Sequence, residues 1–201
     1  MTAAPVAATE RPLRLARLLA WLTIAWNVVE GVVAVAAGAA AGSLALVGFG
    51  LDSFVEVFAG GVVLWQLRGV PEERERRALR LIAVSFFALA VYVVAEAARD
   101  LLAGSEAGES AVGIVLAAVS LIVMPMLAFA KRRVGRRLGN PVVVADATET
   151  KLCAYLSAIL LVGLALNASI GWWWADPLAA LAIAALAVRE GREAWEGDTC
   201  C

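Results

Sequence analysis

The chain has 201 residues, of which 62% are hydrophobic and 17% charged, and its net charge is -1. Soluble domains are roughly half apolar and a quarter charged, so this composition excludes an ordinary soluble domain and indicates a membrane protein. The sequence contains three cysteines and no histidine. A metal site would therefore use carboxylate, thiolate, amide or backbone oxygen ligands.

Six apolar stretches follow one another along the chain. They cover residues 15–37, 43–67, 79–98, 111–130, 141–167 and 172–188. Each is long enough for one membrane-spanning helix of about 20 residues. The first is too long for the apolar part of a signal peptide and contains Asn27 and Glu30, so it is expected to remain as a helix. We expect an all-α integral membrane protein with six transmembrane helices in residues 15–188 and tails at residues 1–14 and 189–201.

The distribution of positive charge predicts the orientation of these helices. Fifteen of the 17 Lys and Arg residues lie in the two tails, in the first turns of the first and third stretches, and in the loops after the second and fourth stretches, including residues 131–140. The alternate loops contain only Arg99, and Lys151 is expected to snorkel from the fifth stretch to the interface. Because cytoplasmic loops are rich in Lys and Arg, both termini are expected in the cytoplasm, with the protein in the cell membrane.

Acidic residues inside the second and fifth stretches are candidates for a metal site. Asp52 and Glu56 are four residues apart, as are Glu149 and Cys153, so each pair occupies one helix face. Ionisable groups in hydrocarbon cost roughly 2.5–3.5 kcal/mol each and indicate function or a buried pairing. At about 1.5 Å per residue, the two pairs reach similar depths near the middle of the membrane. Cys153 alone could be a small buried hydrophobe, but its phase with Glu149 favours a ligand, and the four groups would suit zinc.

Four further acidic residues are expected to gate this site or to support its ligands. Asp146 shares the helix face of Glu149 and lies about one turn from the cytoplasm. Glu30 and Glu96 are open to two interpretations, as contacts between helices or as part of a polar lining. Asp176 lies at the start of the sixth stretch.

These residues resemble the cation diffusion facilitator, or cation efflux, family. Residues 42–46, Gly-Ser-Leu-Ala-Leu, followed by Asp52 and Glu56, are similar to the second helix of that family. Residues 145–153 keep the frame of its fifth helix, Ala-Asp/Glu-x-x-His-x-x-x-Asp, with Glu149 in place of His and Cys153 in place of the final Asp. Residues 96–102 and 173–177 match the end of its third helix and the entry into its sixth. The resemblance covers residues 14–188.

The resemblance implies a homodimeric transporter that exports a divalent cation, commonly zinc, from the cytoplasm in exchange for protons. It implies Asp52, Glu56, Glu149 and Cys153 as the ligands. The two substitutions leave cadmium, cobalt and ferrous iron open beside zinc. The family's cytoplasmic domain is expected to be absent, because only residues 189–201 follow the last stretch.

No prosthetic group, nucleic-acid partner or enzymatic activity is expected, because the sequence contains neither a nucleophile–base arrangement nor a cofactor motif. A second interpretation is a non-transporting membrane subunit or metal sensor that uses the same fold to bind a partner protein. The expected absence of the cytoplasmic domain is its main support.

Overall fold

The computed structural model describes residues 6–68, 72–103, 108, 110–172 and 174–196. Within them the chain forms six helices and no strand, which confirms the all-α prediction. The helices are α1 (Val6–Ala41), α2 (Leu44–Gln66), α3 (Glu72–Ala103), α4 (Ala111–Leu138), α5 (Pro141–Ile170) and α6 (Ala175–Glu196).

Four segments of these helices are long and apolar enough to cross a membrane. They are Glu10–Ala41, Leu44–Gln66, Ala111–Leu138 and Val142–Ser169. Some side chains in the apolar part of α3 lie outside the described residues, and α6 has four charged residues within residues 175–192. The structure thus supports four of the six predicted spans by length and composition.

Several helices extend beyond the predicted apolar stretches. The turn between α4 and α5 contains only Gly139 and Asn140, so the prediction of a loop over residues 131–140 was wrong. Gly139 ends α4 with a φ of 60°, and the Asn140 side chain accepts hydrogen bonds from the first backbone N–H groups of α5. Apolar length predicts the part of a helix in hydrocarbon, whereas the hydrogen-bonded helix continues into charged sequence.

The helices pack mainly as three pairs, α1 with α2, α4 with α5, and α3 with α6. Helix α2 also packs against α3, α5 and α6, so it lies at the centre of the bundle. The start of α1, the end of α2, the end of α4 and the start of α5 meet in one apolar cluster, which includes Ala16, Val63, Val134 and Val143. We call this the inner end, because the sequence predicts that it faces the cytoplasm, and we call the opposite end the outer end.

Glycines allow α1 and α2 to approach closely. A Cβ atom on Gly50 would lie 2.9 Å from the backbone nitrogen of Val35, and one on Gly38 would lie 2.8 Å from that of Val47. Small residues at a helix contact are typical of membrane bundles, in which packing replaces the hydrophobic effect as the source of association. The position of α2, and of the acidic residues on it, is therefore fixed by backbone contact with α1.

Polar and apolar side chains are distributed as a membrane requires. Large apolar residues lie on the surface around the bundle, among them Trp21, Val91 and Phe129, which are 59%, 71% and 69% exposed. Polar and charged side chains are buried inside the bundle, and they include Asn27 and Glu30, both 0% exposed. Carboxyl and amide groups buried beneath large exposed apolar side chains are typical of a bundle whose surface contacts lipid.

Candidate metal site

A cavity lies inside the bundle where α2, α3, α5 and α6 meet. Its polar lining consists of Asp52 and Glu56 from α2, Glu149 and Cys153 from α5, and Glu190 from α6. The rest of the wall is apolar and includes Phe86 and Leu186. The cavity volume is about 20 Å³, slightly more than the roughly 10–15 Å³ that one water molecule needs. There is room for a single small ion or water.

The structure brings all four predicted ligands to the wall of this one cavity. Asp52, Glu56 and Cys153 are buried, with 7%, 5% and 2% of their surfaces exposed, and Glu149 is partly buried. Among the described residues, however, no three acidic or cysteine side chains converge closely enough to hold one metal ion. The four residues share a cavity without closing around a single point, and the ligand assignment stays a prediction.

Glu56 is held by neighbours on α5. The Thr150 hydroxyl donates to Glu56 Oε1 at 2.7 Å and accepts from Lys131 Nζ at 2.9 Å. The Cys153 side chain also lies within hydrogen-bonding reach of the Glu56 carboxyl. The orientation of this carboxylate is thus set by side chains from two other helices, α4 and α5.

Lys131 is a buried charged residue, and its burial was not predicted from the sequence. It was predicted to lie in a cytoplasmic loop, but it lies in α4, is 1% exposed, and forms an ion pair of 2.8 Å with Asp146. It begins the basic run that closes α4, so in sequence it looks like one more cytoplasmic cation. Asp146, predicted to gate the site or to support its ligands, shares Lys131 with the hydroxyl of Thr150.

Glu30 lies in the interior next to α2 but does not line the cavity. Its side chain is completely buried, and Ser53 donates to Glu30 Oε2 at 3.1 Å. This hydrogen bond joins helices α1 and α2, and the predicted part of Glu30 in gating or ligand support stays a prediction.

Glu96 and Asp176 both lie away from the cavity. Glu96 forms a surface ion pair of 3.1 Å with Arg99, one turn further along α3. Asp176 accepts hydrogen bonds from the Ser43 hydroxyl and from the backbone N–H of Ala45, so it caps the start of α2 from the start of α6. The contacts of these two residues are structural, and their predicted part in gating or ligand support stays a prediction.

Glu190 lines the cavity but was assigned to the C-terminal tail by the sequence. Helix α6 continues to Glu196 and brings this side chain inside the bundle, where it is 8% exposed. One signal was present: Glu190 follows Asp176 by 14 residues, close to four turns of about 3.6 residues, so the two share a helix face.

The fold and the cavity define a multi-pass membrane protein with an acidic interior. Residues 80–196, more than half of the chain, match the family model described as the cation efflux transmembrane domain. The chain belongs to the cation efflux family, as the resemblance implied, and the matched residues include its fifth and sixth helices and most of its third.

Three relatives extend the similarity toward the N-terminus. The magnetosome protein MamB of Magnetospira is 25% identical over 167 residues, which cover 78% of this chain and 57% of the relative. The cation-efflux pump FieF of Shewanella oneidensis is 28% identical over 154 residues, 71% of this chain and 52% of the relative. An uncharacterized transporter of Synechocystis is 28% identical over 181 residues, 85% of this chain and 58% of the relative. The chain thus spans little more than half the length of each.

The Lys131–Asp146 pair predicts a specific pattern of stability. Lys131→Met leaves Asp146 as an unpaired buried charge and should lower the free energy of unfolding by about 3–5 kcal/mol. Adding Asp146→Asn removes that charge and should recover most of the loss. The measurement is thermal unfolding of the detergent-purified protein.

Lys151→Met is the matched control, because Lys151 is an exposed lysine of α5 whose ammonium lies over the Tyr155 ring. Its effect should stay within about 0.5 kcal/mol, as for other surface substitutions. Equal stability of the Lys131 and Lys151 variants would contradict the proposed importance of the buried pair.

Proposed function

We propose that the chain is the transport domain of a secondary transporter that exports a divalent transition metal, zinc foremost, from the cytoplasm in exchange for protons. The observation that carries this proposal is the common cavity of Asp52, Glu56, Glu149 and Cys153 inside the bundle. Membership of the cation efflux family supports a metal cation as the cargo. The proposed activity is transport rather than catalysis.

The chemistry of the cavity fits a divalent cation. Its described lining contains four carboxyl groups and one thiol, and it contains no Lys or Arg. Zinc accepts oxygen and sulfur ligands in a tetrahedral arrangement, and a thiolate favours soft ions such as cadmium over hard ions such as manganese. The metal moves through the protein as a substrate, so the four ligands would close around it only transiently.

Exchange for protons follows from the same groups. Carboxyl and thiol ligands bind a metal only when deprotonated, so metal binding releases protons and metal departure allows their return. Thr150, which itself accepts from Lys131, donates to Glu56 Oε1, and this leaves Glu56 Oε2, which has no hydrogen-bond partner among the described residues, for the ion. One set of side chains can thus carry metal outward and protons inward.

We further propose that all six helices span the cell membrane with both termini in the cytoplasm, and that two copies form a homodimer, as the resemblance implies. The orientation is supported by the concentration of Lys and Arg at one end of the bundle. The packing of α1 with α2 and of α4 with α5 at a shared inner end is consistent with helices of alternating direction.

Glu56→Gln tests the proposed transport. The full chain, purified and reconstituted in vesicles with a pH-sensitive dye, should take up zinc and release protons. Glu56→Gln keeps the shape of the side chain but removes the charge that a dication needs, so uptake and proton release should both fall to the background of empty vesicles. Glu10→Gln is the control, since Glu10 lies on the surface at the start of α1, where it pairs with Arg14. Undiminished transport by the Glu56 variant, or no uptake by the natural sequence, would refute the proposal.

Cys153→Ser and Cys153→Asp separate a ligand from a packing residue. If Cys153 binds metal, serine should weaken cadmium binding much more than manganese binding, because a hydroxyl is a poor donor to soft metals. Aspartate would supply another anionic ligand and should preserve zinc transport. If Cys153 only packs, serine would be mild for every metal and aspartate would be harmful, since it buries an unpaired charge. Equilibrium binding and vesicle flux distinguish these outcomes.

Epitope insertions test the topology. A tag after Arg68, at the end of α2, should be protected from antibody in intact cells and become accessible after permeabilisation. A tag after Gly108, between α3 and α4, should be accessible without permeabilisation. A reversal at either site would contradict the proposed orientation.

A further inference from the structure

One acidic residue of the cavity has no part in the four-ligand site. Glu190 lines the same cavity from α6 and is 8% exposed, and its Oε1 atom is buried without a hydrogen-bond partner among the described residues. The adjacent Arg189 lies within electrostatic range of Glu190, but its guanidinium forms its ion pair with Glu193, at 2.9 Å on the surface.

Packing of α6 against α3 holds Glu190 toward the cavity. The next residue, Gly191, faces α3, and a Cβ atom there would lie 2.8 Å from Cε1 of Phe87. Leu186 and Ala187, about one turn earlier, line the cavity wall together with Glu190. The rotation of α6 about its axis is therefore fixed, and the carboxyl group remains next to the cavity.

A carboxylate in this position is costly unless something binds it. Burial of a charge without a partner loses its hydration free energy, and no protein contact compensates for that loss. Glu190 also lies within electrostatic range of Asp52 and Glu149, so negative groups reinforce one another across the cavity. A divalent cation would relieve both the missing partner and the mutual repulsion.

The depth of Glu190 places it on the inner side of the cavity. Helices α2 and α6 start together at the outer end, where Asp176 caps α2. Glu190 is 15 residues into α6, whereas Asp52 is eight residues into α2. At about 1.5 Å per residue, Glu190 lies roughly 10 Å nearer the inner end than Asp52.

We propose that Glu190 is a further metal-binding residue, which takes the divalent cation on the inner side of the cavity and shares it with Glu149. This inference rests on the proposed function, because it assumes that the cavity receives a cation. It assigns α6 a direct part in binding, beside α2 and α5.

Equilibrium binding of zinc and cadmium to the detergent-purified full chain tests this assignment. Glu190→Gln should weaken binding by at least about tenfold, the lower bound for losing a group that merely supports a metal ligand. Glu193→Gln removes a charge from the next turn of the same helix, where the side chain pairs with Arg189 on the surface. Its affinity should stay within about twofold of the natural sequence, since exposed ion pairs contribute little.

Two further measurements distinguish a ligand from a structural residue. Without metal, Glu190→Gln should unfold at a temperature no lower than the natural protein, because it removes an unpaired buried charge. Glu190→Cys replaces the carboxylate with a thiol and should keep cadmium affinity within about twofold of the natural sequence, since thiolates bind soft metals. A packing role would instead make the Gln and Cys variants equally weak for cadmium.

The outcomes separate this inference from the function on which it rests. If Asp52→Asn abolishes binding while Glu190→Gln binds as tightly as the natural sequence, Glu190 is not a ligand and the proposed transport site stands. If the natural sequence binds neither zinc nor cadmium, the proposed function and the role of Glu190 fail together. A Glu190→Gln variant that unfolds at lower temperature without metal overturns the inference, because Glu190 would then be structural.

Discussion

Among the buried residues that the structure describes, six are acidic and one, Lys131, is basic. Lys131 pairs with Asp146 and donates to Thr150, which in turn donates to Glu56. This series of contacts joins α4, α5 and α2 at the edge of the cavity. Burial of a charge is tolerated only with a partner, so the Lys131 cation helps to keep several carboxyl groups inside an apolar bundle. Through Thr150 it also orients the carboxyl group of Glu56.

The geometry of the cavity then depends on two features remote from it. The glycines of α1 and α2 bring these backbones together and set the position of α2. Asp176 ties the start of α6 to the start of α2, so the two helices descend from a common point. Their inward faces consequently present Asp52, Glu56 and Glu190 to one space, opposite the residues of α5.

The sequence predicted which residues line the cavity where an ionisable group interrupted an apolar helix. Asp52, Glu56, Glu149 and Cys153 stand out against hydrocarbon-like neighbours, and their four-residue spacing predicts a shared face. It did not predict the buried residues where a helix continued into charged sequence. Lys131 and Glu190 lie within runs of ionisable residues that resemble loops in composition, although α4 and α6 extend through both. Only the packing of neighbouring helices distinguishes a buried charge from an exposed one in such a run.

Helices α4 and α5 form a hairpin around a two-residue turn. One of the buried polar contacts lies within this hairpin, and another joins the hairpin to α2. Lys131 and Asp146 both belong to this hairpin, whose two helices are joined by a short turn and pack along each other, so their ion pair would move with it as a unit. The hydrogen bond from Thr150 to Glu56 crosses instead to α2. Sliding of α2 past the hairpin would therefore break this hydrogen bond to a charged group, which contributes about 1.5–3 kcal/mol, and would spare the ion pair.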